Sequence, residues 1–199
     1  MKILITGFDP FGGEDLNPAT QAVALVQAPK GVELSKMLNL PPVFGVGEQV
    51  IAAIREENPD VVLCVGQAGG RKAVTPERIA INFRDATIPD NKGFCPKEEP
   101  VVPGGPAAYF SGLPVKAMAE AMQEAGIPAA VSNSAGTFVC NELLYTLLSY
   151  IEERGLPIKA GFIHVPFLPS QVVKRPEMPS MPLETMVKAL ETALSVIAR

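Results

Sequence analysis

A single histidine limits the chemistry open to this chain. His164 lies in GFIHVPFLP, near the end of an apolar run, and any imidazole-dependent proton transfer must use it. The alternative is a core histidine whose ring nitrogens are satisfied by neighbours. Cys140, in SAGTFVCNELLY, is the nucleophile that would give His164 a task. It follows Gly136 where a strand and turn give way to a helical pattern, which places its sulfur in the first helical turn. Unpaired amides there carry partial positive charge, so the thiol is expected to fall below its ordinary pKa of about 8.5. The competing role for Cys140 is packing as a small apolar residue, which suits Cys64, set among Val61, Val62, Leu63 and Val65, far better. Cys95 precedes a proline in a loop and has neither setting.

A third element is GQAGGRKAVTPERIAIN, residues 66–82. Its glycines allow close backbone approach and free N–H groups able to meet a developing oxyanion. Glu77 opens the following strand, where a carboxylate can accept from an imidazole N–H and hold its tautomer. Spacing leaves two other readings open, a solvated Glu77 beside Arg78 and Asp90 as the orienting carboxylate. A fourth element, ITGFDPFGGEDLNP, has Gly7 and Gly12 at phosphate-loop spacing, but Gly13-Glu14 replaces the required Lys and Ser/Thr. Gly45-Val-Gly47 lacks the third glycine of a dinucleotide fingerprint. What the turn offers is Phe8 and Phe11 flanking Asp9-Pro10, suited equally to packing a sheet edge and to touching a ligand.

The elements that must position these residues alternate in an α/β rhythm. KILITGF, DVVLCVGQ, ERIAINFRDA and KAGFIHVPFLP read as strands, AAVSNSAG as a strand and turn, with SKMLNLPPVF extended. NPATQAVALVQ, VGEQVIAAIREEN (closed by Asn58-Pro59), VKAMAEAMQEAG, TFVCNELLYTLLSYIEERG and LETMVKALETALSVIAR read as helices. Continuous apolar strands need cover on both faces, so the pattern predicts a three-layer α/β/α sandwich with a mixed, mostly parallel sheet, in one domain over residues 1–199. Antiparallel pairing is expected after residue 80, where INFRDATIPDN follows its predecessor too closely for a helical crossover. Residues 88–114, rich in Pro and Gly, read as a long functional loop or arm.

Composition removes other classes. A net charge of −4 with the charges mixed along the chain offers no nucleic-acid or anionic-membrane footprint. No apolar run reaches the roughly 18–20 residues of a membrane span, and MKILITGFDPFGG is not a secretory leader. Three cysteines without CxxC spacing suggest neither a disulfide framework nor a zinc site, and a cytoplasmic location is expected.

Taken together, these segments resemble the pyroglutamyl peptidase I (pyrrolidone-carboxylate peptidase) family over essentially the full chain. The likeness rests on TPERIAIN (75–82), SNSAGTFVCN (132–141) and GFIHVP (161–166), in that order. It implies a phosphorylase/hydrolase-like α/β fold and a cysteine peptidase acting on peptides with an N-terminal pyroglutamate. In that reading Cys140 is the nucleophile, His164 the general base and acid, and Glu77 the group that orients it. Phe8, Phe11 and Phe138 form an apolar slot for the lactam, with Gln67 near the oxyanion or lactam. The resemblance implies no metal and no cofactor, and a homotetramer. The chain departs from the family before Ile-Pro-Asp, where relatives commonly carry arginine and Thr87 stands; Arg84, three residues earlier, faces oppositely by strand alternation. Two other functions remain open from the residues: a nucleoside phosphorylase on a similar fold, and a binding module that uses the phenylalanine slot without catalysis.

Overall fold

The computed structural model describes residues 1–199. Four parallel strands, β1 (Lys2–Phe8), β2 (Glu33–Leu40), β3 (Val61–Gln67) and β7 (Lys159–Val165), and one short antiparallel strand, β4 (Thr75–Pro76), form a sheet in the order β2-β1-β3-β7-β4. A separate antiparallel pair joins β5 (Ile79–Ile81) to β6 (Ala108–Phe110). Every residue of β3 is buried, as an unbroken apolar run flanked by strands and covered on both faces must be. At the edge, β2 is exposed or half-buried from Glu33 to Asn39, and only Leu40 is buried.

Five helices supply the cover. α1 (Pro18–Leu25), α3 (Val115–Glu124) and α5 (Leu183–Ile197) pack on one face with Ile3, Ile5, Leu63, Val65, Ile163 and Val165. α2 (Gly47–Glu57) and α4 (Val139–Glu153) pack on the other with Leu4, Val62, Cys64, Ala160 and Phe162. Even-numbered residues of β3 and β7 thus face α4, and odd-numbered ones face α1 and α5, as period-two alternation requires. The helix ends follow local chemistry. Asn17 Oδ1 accepts from the Ala19 N–H at 3.0 Å and Pro18 opens α1, while α2 stops where Asn58 turns left-handed (φ 49°) before Pro59.

The expected α/β/α architecture and mostly parallel sheet are present. Three local expectations need correction. ERIAINFRDA contributes only the three residues of β5, and β5 pairs with β6 rather than joining the main sheet. AAVSNSAG forms isolated bridges, Ala129 to Val74 and Ser132 to Glu77, and no strand; three of the four positions from Asn133 to Gly136 are exposed, so no apolar face holds a strand there. SKMLNLPPVF is extended only to Leu40, because Pro41 and Pro42 cannot donate ladder hydrogen bonds. Residues 88–114 carry β6 and otherwise irregular backbone pinned at definite points, including an Arg84–Glu99 bridge.

The start of α4 is anchored from outside the helix. Asn141 Oδ1 accepts from the Ile81 N–H at 2.9 Å, and its Nδ2 donates to the Ile81 and Phe83 carbonyls at 2.9 and 3.0 Å. Asn141→Ala leaves those backbone groups unpaired and should lower unfolding free energy by roughly 2–4 kcal/mol, read from urea unfolding.

Candidate active site

Strand alternation brings the chemistry to one place. His164 shares its face of β7 with Ala160 and Phe162, and lies opposite Gly66 of β3 in the parallel register. Gly66 has no side chain where one would collide: a Cβ there would lie 2.8 Å from the Phe162 ring and 3.2 Å from Cys140 Sγ. The missing methyl group is the space into which α4 lowers its sulfur beside the histidine strand. Gly136, with φ +82°, makes the turn that precedes α4, and Cys140 is the second residue of that helix. Cys140 and His164 line the same cleft at the carboxyl ends of the parallel strands, where open α/β sheets bind ligands.

Behind them runs a buried charge relay. His164 Nδ1 lies 2.7 Å from Glu77 Oε1, so the ring donates there and Nε2 is left as the acceptor. Glu77 has no exposed surface and is held by its own backbone, with its N–H donating to the Phe162 carbonyl at 2.9 Å. The Arg71 guanidinium closes on the same carboxylate oxygen, donates to Thr75 Oγ1, and reaches the Ser134 carbonyl at 3.1 Å. Burial pushes the Glu77 carboxyl upward, but the hydrogen bond and charge of His164, then Ser132 and Arg71, outweigh it, and its pKa lies below the ordinary value. Burial also disfavours imidazolium, and with Arg71 it overcomes the pull of Glu77, so His164 titrates below 6.5. The resting pair is a carboxylate and a neutral imidazole.

Cys140 departs from expectation. Burial, followed by the charge of Glu77 and the proximity of Cys64, pushes its thiol up to about 12, and the opposing pull of Arg71 does not reverse this. The sulfur does sit in the first helical turn, but desolvation exceeds what the helix end offers. The site therefore rests as thiol plus neutral imidazole.

Beside Cys140 lies a slot lined by Phe8, Phe11, Asn17, Pro42, Gln67, Phe138, Val139 and Cys140, with no charged side chain. The space within it that can hold the centre of a water molecule is only about 10 Å³. Phe11 and Phe138 face each other across it with ring centroids 6.2 Å apart. Phe44 packs edge-on against Phe138 at 5.2 Å and against Phe94 at 5.7 Å. The slot opens into the cleft that holds His164, Arg71 and the Gly69 and Ser134–Gly136 backbone. All four slot residues read from the sequence, Phe8, Phe11, Gln67 and Phe138, meet here. Arg71, Asn17 and Phe44 were missed, although a cation six residues before Glu77 was a usable signal.

Asp90 is elsewhere. Its carboxylate accepts from the Phe44, Lys92 and Phe94 N–H groups at 2.8–3.0 Å, which ties the loop under Phe44 and Phe94 and leaves nothing for the imidazole. Arg84 is likewise engaged, with Glu142 at 3.0 Å and Glu99 at 2.9 Å, and Thr87 is exposed. Cys64 is fully buried with its thiol also pushed up to about 12, a packing residue as read.

Cysteine and imidazole meet in a cleft at the strand ends of the sheet, with a buried carboxylate behind the imidazole, a set of groups suited to acyl transfer. Sequence and structure comparisons narrow the class further. The chain belongs to the pyroglutamyl peptidase family, whose sequence model matches residues 1–199. It is 54% identical to a pyrrolidone-carboxylate peptidase of Lactobacillus johnsonii over 99% of this chain and 92% of that protein. Its fold is similar to that of pyroglutamyl peptidase I from Bacillus amyloliquefaciens, with TM-score 0.94 and 46% identity over 99% of this chain and 94% of that one. A mutant pyrrolidone carboxyl peptidase from Pyrococcus furiosus superposes equally well, with TM-score 0.94 at 40% identity over 100% of this chain and 98% of that one.

Because Arg71 lowers the His164 pKa, Arg71→Met should move the acid edge of Cys140 alkylation by iodoacetamide to higher pH. Labelling rates measured from pH 5 to 8 would reveal an unmoved edge, which would show that Arg71 does not act on the imidazole.

Proposed function

We propose that this protein hydrolyses the bond after an N-terminal pyroglutamyl residue by acyl transfer through Cys140. The observation that carries the proposal is the relay from Arg71 through Glu77 to His164, opening onto Cys140 beside an uncharged aromatic slot. Family membership supports the same reading.

The mechanism follows from the resting protonation states. As the Cys140 sulfur bonds to the pyroglutamyl carbonyl carbon, its proton passes to Nε2 of neutral His164, and the carboxylate of Glu77 stabilises the imidazolium. The N–H groups at the start of α4, which has no side-chain cap, face the developing oxyanion. His164 returns the proton to the leaving amine, the C–N bond breaks, and a thioester remains. Water then gives a proton to His164 and attacks the thioester; the C–S bond breaks, His164 returns that proton to the sulfur, and pyroglutamate leaves.

The slot accounts for the choice of substrate. Pyroglutamate carries a flat, uncharged lactam in place of an α-ammonium. An ammonium entering a slot of three phenylalanines and no carboxylate would lose its hydration without a partner, at a cost of several kcal/mol. Since the slot at rest admits little more than one water, the ring must part Phe11 from Phe138. Phe11 lies in the turn between β1 and α1, outside regular structure, and can yield.

The proposal extends to a homotetramer in the cytoplasm. No helix is long and apolar enough to cross a membrane. Light scattering after gel filtration should give a mass four times the 21.1 kDa of one chain.

The purified, reduced protein should release coumarin from pyroglutamyl-coumarin amide and not from the alanyl or leucyl amides, and Cys140→Ala should remain folded with no turnover. Equal rates on all three amides, or turnover by the alanine variant, would refute the reading. The acid limb of kcat/KM should lie below pH 6.5, since activity needs neutral His164 and its pKa is lowered. Glu77→Gln should lower kcat by roughly 10²–10⁴-fold, with residual activity above that of Cys140→Ala.

A further inference from the structure

Gln67 holds its amide in a hydrogen-bond chain whose direction can be worked out from its ends. Its Oε1 lies 2.9 Å from Nε2 of Gln171, in the 3₁₀ turn Pro169–Val172 that follows β7. An amide can be turned either way, but the Gln171 amide cannot. Its Oε1 accepts from the Leu168 backbone N–H at 2.9 Å, a group that only donates. Its Nε2 lies 3.1 Å from Glu14 Oε2 and 3.4 Å from the Leu16 carbonyl, groups that only accept. Arg175 fixes that carboxylate in turn, donating to Glu14 Oε1 at 2.7 Å and to the Gln171 carbonyl at 2.5 Å, with its guanidinium stacked 4.7 Å over the Phe167 ring.

Gln171 Nε2 is therefore the donor, and the atom of Gln67 that meets it must be the oxygen. The N–H₂ of Gln67 is left over. It makes no hydrogen bond within the protein, yet it is not among the sealed, unpartnered side-chain atoms, which are Thr6 Oγ1, Glu77 Oε2 and Arg84 Nε. Gln67 is 6% exposed, and the open space beside it is the aromatic slot and the adjoining cleft.

From this we infer that Gln171 is a positioning residue: it locks Gln67 as a hydrogen-bond donor toward the slot, selecting a ring that carries a carbonyl oxygen over a ring of the same shape that does not. The inference rests on the pyroglutamyl reading above and deepens it. Without Gln171 the Gln67 amide can rotate and present its own oxygen, which repels a lactam carbonyl. With glutamate at 171, the side chain has no donor for Gln67 and stands beside the Glu14 carboxylate, so Gln67 must turn its N–H₂ away from the slot.

The test compares Gln171→Met, of similar length and without hydrogen bonds, with Gln171→Glu. Pyroglutamyl-coumarin and cyclopentanecarbonyl-coumarin amides, both uncharged, serve as substrates with and without the lactam oxygen, and the rate of Cys140 alkylation by iodoacetamide reports the integrity of the catalytic groups. In Gln171→Met the KM for the pyroglutamyl amide should rise roughly fivefold to tenfold while kcat changes less than about threefold. Its preference for the pyroglutamyl over the cyclopentanecarbonyl amide should fall by the same factor, and Cys140 labelling should stay at the wild-type rate. Gln171→Glu should raise KM further. An unchanged KM and preference in Gln171→Met would overturn the inference. So would a parallel loss of kcat and labelling in both variants, which would make Gln171 a packing residue. Failure of the parent protein to cleave the pyroglutamyl amide would strike the functional reading instead, and is scored before either variant is made.

Discussion

Glu77 carries a negative charge at a point with no contact with solvent. Such a charge survives burial only when its partners are close and fixed, because removing a carboxylate from water costs several kcal/mol even after relaxation. Here the partners are the imidazole N–H of His164 and the guanidinium of Arg71, both on the same oxygen. Much of the surrounding structure serves that arrangement. β4 crosses antiparallel to β7 so that Glu77 arrives behind His164, with Thr75 paired to His164 and the Glu77 N–H bonded one strand across. Arg71 extends from the glycine turn after β3 and ties Ser134, in the approach to α4, to the same cluster. Losing either partner would leave a buried charge unsatisfied, so the relay couples stability to the geometry of the site.

The relay also determines how the thiol must work. The part-buried Cys140 thiol is raised to about 12 by desolvation and then by the charge of Glu77, so it rests protonated. Burial lowers the basicity of His164 as well, so the imidazole stays neutral and able to accept a proton at physiological pH. Thiol and imidazole thus rest as a neutral pair rather than a standing ion pair. Gly66 makes this possible sterically, and the alternation that places residues 62, 64 and 66 on one face is the same alternation that packs the core beneath α4.

Much of this was legible in the chain itself. One histidine, one cysteine at a strand-to-helix turn and one carboxylate opening a strand point to a site because few residues can compete for those roles, and the apolar runs of β1, β3 and β7 fix the layered fold. Asp90 competed with Glu77 because both follow the same glycine-rich stretch; which carboxylate turns inward depends on β4 pairing with β7, a contact some ninety residues distant in sequence. Arg71 was passed over: its place six residues before Glu77 is visible in the chain, but the folding of the loop back over Glu77 is not. The thiol's pKa was misjudged for the same reason: a helix start is visible in the sequence, and the burial that overrides it comes from strands and loops far along the chain. The strand expected at the start of AAVSNSAG is reduced to isolated bridges from Ala129 and Ser132, because its partners are the short segment around β4, distant in sequence.

The central claim, that Cys140 attacks with His164 as its base and carries the acyl group, is tested most directly by trapping the intermediate. Protein quenched in acid during turnover of a pyroglutamyl ester, then digested and analysed by mass spectrometry, should carry one pyroglutamyl group on the peptide containing Cys140, and none in a His164→Ala variant. Turnover without that adduct, or with the adduct on Cys64 or Cys95, would contradict the account.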